Sequence, residues 1–114
     1  MTVTLTGRDL TRAELVRVAR GGEPVELDPA AIATMTAARA VVERSVERAD
    51  PVYGLSTAVG VLKRVMVSGP EAADYSHRMI RHHLVGQGPS APPDLVRATA
   101  LRLANGFAGG TVGV

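Results

Sequence analysis

The sequence predicts a mainly α-helical chain that begins with a small β-hairpin, and three observations carry that reading. Helix-start signals recur along it: Thr11-Arg12-Ala13-Glu14, Asp28-Pro29 and Ser68-Gly69-Pro70-Glu71. Between them, apolar residues return every three or four positions, the period of a helix with one buried face. Only residues 2–5 and 24–27 alternate in the manner of strands.

Taken in order, Thr2 to Leu5 suits a short strand that ends near Gly7. The Thr11 hydroxyl can satisfy an orphan amide of the first helix while Glu14 reaches back, with Leu10 and Leu15 as the staple around that cap. Gly21-Gly22 should stop this helix, because glycine readily takes the left-handed conformation a helix end needs. Pro24-Val25-Glu26-Leu27 is extended and is expected to pair with the first strand as a hairpin.

Asp28 caps the second helix and Pro29 takes its first position, where the missing N–H costs nothing. Ile32, Met35, Val42 and Val46 would form its inner face, and the helix should run to about Arg48 before Asp50-Pro51 breaks it. The Ser68 cap predicts a third helix reaching roughly Val85, ended by Gly86-Gln87-Gly88-Pro89. A fourth should begin around Pro92-Pro93-Asp94. Its Val96, Ala100, Leu103 and Phe107 make one apolar stripe that Leu95, Ala98, Leu101 and Ala108 broaden, so burial around much of its circumference is expected. The tail from Gly106 to Val114 loses helical character.

The whole chain, 1–114, reads as a single domain. Aromatic residues make up only 3% of it, so the core must be built from small aliphatic side chains, and a core that thin leans on a partner. Thirteen basic residues, of which Lys63 alone is a lysine, face eleven acidic ones and are spread along the chain. Dispersed charge of this kind is a solvated surface and gives no stripe for nucleic acid. With no cysteine there is no disulfide, thiolate metal site or thiol nucleophile. No apolar run is long enough to span a membrane and the N-terminus lacks a signal pattern, so a cytoplasmic chain is the expectation.

The chemistry concentrates in Val52-Tyr53-Gly54-Leu55-Ser56-Thr57-Ala58-Val59-Gly60, a loop that presents one tyrosine. A phenol ordinarily titrates near about pH 10. Use of a tyrosine as a base therefore requires cationic or dipolar neighbours, and the plainer reading is a tyrosine lying over a helix end with its hydroxyl in water. His82 and His83 form a pair that could equally be a helix surface. A metal site is not expected, because His77, His82 and His83 are spaced by five and one and fall on different helical faces.

The loop resembles the tyrosine loop of the histidine and aromatic amino acid ammonia-lyase and aminomutase family, which reads approximately Tyr-Gly-Ile/Val/Leu-Asn/Thr-Thr-Gly-Phe-Gly. Tyr53 and the loop-shaping residues Gly54, Thr57 and Gly60 are kept, while Ser56, Ala58 and Val59 depart from the pattern. Met79-Ile80-Arg81-His82-His83-Leu84-Val85-Gly86 is similar to that family's selectivity helix. Its tyrosine-selective members carry histidine four residues before the glycine, and its histidine-selective members three; this chain has both. Asp94-Leu95-Val96-Arg97 and the stretch from Leu101 to Val114 resemble a third family region, with Arg102, Asn105, Gly110 and Gly113 in register.

The resemblance implies the N-terminal part of the ammonia-lyase fold, about a fifth of a family member. In that family an Ala-Ser-Gly tripeptide cyclises to 4-methylidene-imidazol-5-one, the loop tyrosine removes a β-proton, and ammonia leaves to give an α,β-unsaturated acid; aminomutases add it back. By that resemblance Tyr53 would be the catalytic base, and His82 and His83 would bind the substrate side chain, that of histidine, tyrosine or a similar polar amino acid. This sequence has no Ala-Ser-Gly. The cofactor is therefore expected on a second protein chain carrying the C-terminal lyase region, in a hetero-oligomer, with this chain inactive alone. The alternative is a non-catalytic remnant or regulatory module that binds a lyase-like partner.

Overall fold

A computed structural model describes residues 1–67 and 69–114. In order they form β1 (Val3–Leu5), α1 (Arg12–Gly21), β2 (Val25–Leu27), α2 (Pro29–Glu47), a 3-10 turn (Gly60–Leu62), α3 (Gly69–His82) and α4 (Pro93–Ala108). The chain divides into two compact units: Met1–Val41 with Pro89–Val114, and Val42–Gly88. The mainly helical class holds.

In the first unit, Thr11 caps α1 as expected. Its Oγ accepts the Glu14 N–H at 3.2 Å, and the Glu14 carboxylate accepts the Thr11 N–H at 2.8 Å. Gly22 ends the helix with φ +69°, and Asp28 caps α2 by accepting the Ala30 N–H at 2.7 Å. The strands pair in the register Val3 with Val25 and Leu5 with Leu27, but they run parallel. The expected hairpin is thus corrected. A hairpin would need a short turn between the strands, whereas α1 lies between them and serves as the crossover that brings the second back in the same direction.

The pleat sends Val3 and Leu5 inward, where they meet Ala31, Leu101 and Ala108, with Leu10, Leu15, Val18, Met35 and Ala104 packed around them. α1 lies against α4. At the end of β1, Gly7 adopts φ +82°, and a Cβ there would fall 2.3 Å from the Gly109 nitrogen. The Gly7 N–H donates to the buried Asn105 side chain at 3.2 Å, so Asn105 ties this corner to α4.

Two helix faces differ from expectation. On α2 the residue buried is Ala31, while Ile32 and Val46 are exposed. On α4 the buried line is Leu101, Asn105 and Ala108, while Val96 and Leu103 point outward. A helix that is apolar nearly all round carries no local instruction about which side meets its neighbour. α4 also continues through Gly106 and Phe107, past the expected fraying point. Among the described residues no helix is long and apolar enough to cross a membrane.

In the second unit the cap expected at Ser68 lies outside the described residues. α3 ends at His82, three residues before the expected Val85. The amides of His83 and Leu84 turn back to Ile80 and Arg81, both at 3.2 Å, which tightens the last turn into 3-10 form and closes the helix before the glycines are reached.

Candidate functional site

The second unit builds its loop around one carbonyl. The oxygen of Val52 accepts N–H groups from Leu55, Ser56 and Thr57 at 3.1, 3.1 and 3.2 Å, which coils the chain directly after Pro51. The Ser56 hydroxyl fastens the coil: its Oγ accepts the Val52 N–H at 2.9 Å and its O–H donates to the Asp50 carbonyl. Two longer-range bonds, Ala58 N–H to Val65 O at 2.9 Å and Val67 N–H to Ser56 O at 2.8 Å, then fold the following segment back onto it. Ser56, Thr57 and Ala58 are consequently buried.

Ser56 and Ala58, two of the departures from the family pattern, are therefore structural parts of this loop. A hydroxyl at 56 is used twice, and a small residue at 58 fits a closed space. Gly54 and Gly60 sit at φ +74° and +62°, conformations that cost little only for glycine. Val59, the third departure, packs within 3.5 Å of where a Gly54 Cβ would stand.

Tyr53 stands at the rim of this loop and is 64% exposed. Its Oη accepts the Gly60 N–H at 3.1 Å, which leaves the phenol O–H free to donate. The adjoining amide, that of Val59, donates at 3.1 Å to the hydroxyl of Tyr75 on α3. Two tyrosine hydroxyls thus hold two successive amides. Tyr75 escapes a reading of the sequence because its partner lies sixteen residues away; its rarity in an aromatic-poor chain is the available signal.

Pro51, Tyr53, Thr57, Lys63, Arg64 and Met66 line a recess of about 420 Å³. A larger recess, about 610 Å³, lies along α4 between Ala98 and Val112 and has Arg102 as its one charged lining residue. The smaller one holds the tyrosine and two cations, so it is the chemically furnished one.

His82 is the last residue of α3 and His83 the first beyond it, both exposed. His83 Nδ1 lies 2.7 Å from the Met79 carbonyl oxygen. Since a carbonyl only accepts, the ring donates from Nδ1. Among the described residues no hydrogen bond joins Tyr53 to either histidine. What the two parts of the unit share is the bond from Val59 to Tyr75, seven residues before His82 on the same helix.

A parallel strand pair, four helices, and a glycine-shaped tyrosine loop followed by a helix ending in paired histidines together describe the N-terminal portion of the ammonia-lyase and aminomutase fold. The chain belongs to the aromatic amino acid lyase family, whose pattern it matches over residues 10–114. It is 38% identical over 112 residues to a histidine ammonia-lyase of Clostridium tetani, covering 98% of this chain and 22% of that enzyme. It is 36% identical over 116 residues to an aromatic ammonia-lyase of Loktanella atrilutea, covering 100% of this chain and 21% of that one.

Among solved structures, a tyrosine aminomutase from Streptomyces globisporus superposes with a TM-score of 0.95 at 27% identity, over 100% of this chain and 22% of that one. Ergothionase from Treponema denticola superposes with a TM-score of 0.93, also at 27% identity, over 96% of this chain and 22% of that one. The chain thus spans about a fifth of the length of the relatives it matches.

Proposed function

We propose that the chain is the small N-terminal subunit of a split amino acid ammonia-lyase or aminomutase, a cytoplasmic carbon–nitrogen lyase acting on histidine, tyrosine or a similar amino acid. Tyr53 acts as the base that takes a proton from the substrate carbon, and His82 and His83 read the substrate's polar side chain. The observation that carries this reading is the held tyrosine: an exposed phenol whose oxygen is fixed by the Gly60 amide beside two cations, on a chain with family membership.

The 4-methylidene-imidazol-5-one would supply an electrophile to the substrate. Residues 1–114 contain no Ala-Ser-Gly, and in this proposal a second chain supplies it. Both units offer surface for such a partner. Leu95, Val96 and Leu103 are exposed on α4, and Val61, Ile80, Leu84 and Val85 are exposed in the second unit. Apolar side chains left in water in such numbers favour association.

The test is to co-express the chain with a neighbouring reading frame that carries Ala-Ser-Gly, purify the complex and follow unsaturated-acid formation from histidine and from tyrosine. Tyr53→Phe should slow turnover by about 10²-fold or more, the scale of a positioned proton acceptor. If that variant turns over as fast as the parent complex, Tyr53 is not the base. If no electrophile-bearing partner binds, the regulatory or remnant reading replaces the split enzyme.

A further inference from the structure

We infer that Tyr75 is a positioning residue for Tyr53: from α3 it fixes the peptide next to the amide that holds the Tyr53 hydroxyl. The inference rests on the lyase reading for what Tyr53 does, and on hydrogen bonds alone for how Tyr53 is held.

Both tyrosines of this chain spend their hydroxyl oxygens on one short stretch of backbone. Tyr75 Oη accepts the Val59 N–H and Tyr53 Oη accepts the Gly60 N–H, each at 3.1 Å. Val59 is extended, with φ −112° and ψ 166°, so these successive N–H groups leave the chain on opposite sides. The two phenols therefore grip one residue from two directions. The peptide joining Ala58 to Val59 is held at its other end as well, where Ala58 O accepts the Thr57 hydroxyl at 3.1 Å.

Closing the loop does not require Tyr75. The coil is already fastened by the Val52 carbonyl, by the Ser56 hydroxyl, and by the bonds from Ala58 to Val65 and from Val67 to Ser56. What these leave to Tyr75 is the Val59 amide, the last before the Gly60 donor. Glycine permits rotation that other residues resist, so the direction of the Gly60 N–H depends on how firmly Val59 is held. Tyr75 supplies that hold from α3. Ala72, Tyr75 and Met79 are the half-buried positions among the described side chains of that helix, and one turn beyond Tyr75 the Met79 carbonyl accepts from His83 Nδ1 at 2.7 Å. A single helical segment thus carries the hydroxyl that steadies the tyrosine loop and the carbonyl that holds His83.

The test is Tyr75→Phe, which keeps the ring and removes the hydroxyl. In the isotope-labelled full-length chain it should speed amide exchange at least about tenfold at Val59, the scale of one lost hydrogen bond, and about threefold or more at Gly60. The Ala58 and Val67 amides should exchange as in the parent, and the Tyr53 Cζ resonance should move towards its position in the unfolded chain. In the proposed complex Tyr75→Phe should slow turnover at least about tenfold, but less than about twofold where Tyr53→Phe is already present, because a residue acting through Tyr53 then has nothing to position.

The inference is overturned if the parent's Val59 amide is unprotected, or if Val59 responds while Gly60 and Tyr53 Cζ do not. It is equally overturned if the Ala58 and Val67 amides loosen together with Val59, the mark of a merely structural role, or if the two substitutions multiply in turnover. The exchange measurement needs no turnover, so the two readings fail separately. An active complex whose Gly60 amide ignores Tyr75→Phe sinks only the positioning role, and a responsive Gly60 amide without any active complex sinks only the lyase.

Discussion

The two units solve opposite problems with the same kind of sequence. The unit formed by Met1–Val41 and Pro89–Val114 places Val3 and Leu5 at 1% and 2% exposure and closes around them with capped helices, so its geometry is held by packing. The unit Val42–Gly88 buries Ser56, Thr57 and Ala58, small residues held by main-chain and hydroxyl hydrogen bonds, and leaves Val61 at 99% exposure. One is a scaffold with a core of its own. The other is a chemically furnished loop whose apolar residues are unclaimed. Tyr53 is held by a directional bond rather than by a core, which fixes its hydroxyl without walling it in.

Glycine substitutions should separate the units most sharply. At Gly7 an added Cβ meets the Gly109 backbone at 2.3 Å and the residue is at φ +82°, so neither the neighbour nor the conformation can yield. Gly7→Ala is expected to cost about 2–6 kcal/mol, the sum of left-handed strain and overpacking, read by urea unfolding. Gly60 has φ +62° but nothing within 4 Å of where a Cβ would stand, so Gly60→Ala should cost only about 1–2 kcal/mol of conformational strain. That smaller cost should show as faster hydrogen exchange at the Ala58 and Val67 amides. Equal losses at the two sites would break the distinction between a packed and a bonded unit.

The next test stays on α4 and compares its two faces. Leu101 is 5% exposed and Leu103 56%. Leu101→Ala should lower stability by about 2–5 kcal/mol through lost burial and a cavity. Leu103→Ala should stay within about 0.5 kcal/mol in the isolated chain. In the proposed complex the order can change, because a partner seated on α4 would make Leu103 a contact residue; a Leu103 variant as neutral to assembly as to folding would remove this face from the interface.

Local signals are readable in the sequence and non-local ones are not. Thr11 and Glu14 are three residues apart, and their cap follows from chemistry within a single turn. The direction of β2 depends on how α1 returns the chain, so two short alternating segments cannot distinguish a hairpin from a crossover. The buried faces of α2 and α4 are not legible because small aliphatic residues, alanine and valine on α2 and alanine and leucine on α4, occur around much of each helix, and what decides is the surface opposite. Tyr53, Gly54, Thr57 and Gly60 are legible as a motif, but the bonds fixing the loop are not: Ser56 reaches back to Asp50, and Val59 reaches forward to Tyr75.

The smallest effect probes the scaffold's electrostatics. The Glu14 carboxyl is held below the ordinary carboxylate range, first by the hydrogen bond from the Thr11 N–H, then by the Thr11 hydroxyl, with a lesser contribution from the charge of Arg17. A lowered folded value means that the ionised form favours the native state. The associated stability is complete above the unfolded value, about 4.3, and is lost as pH falls through the lowered folded value. Thr11→Ala should cost about 1 kcal/mol at neutral pH, the usual loss for an N-cap. Glu14→Gln should be less stable than the parent at neutral pH, and the gap should close progressively as the solution is acidified below that unfolded value. Because this cap belongs to the packed unit, the same acid titration should leave the hydrogen exchange of the Ala58 and Val67 amides unchanged between the parent and Glu14→Gln. A pH-dependent difference at those loop amides would mean that the loop draws its order from the cap, and the bonded unit would then not be self-sustaining.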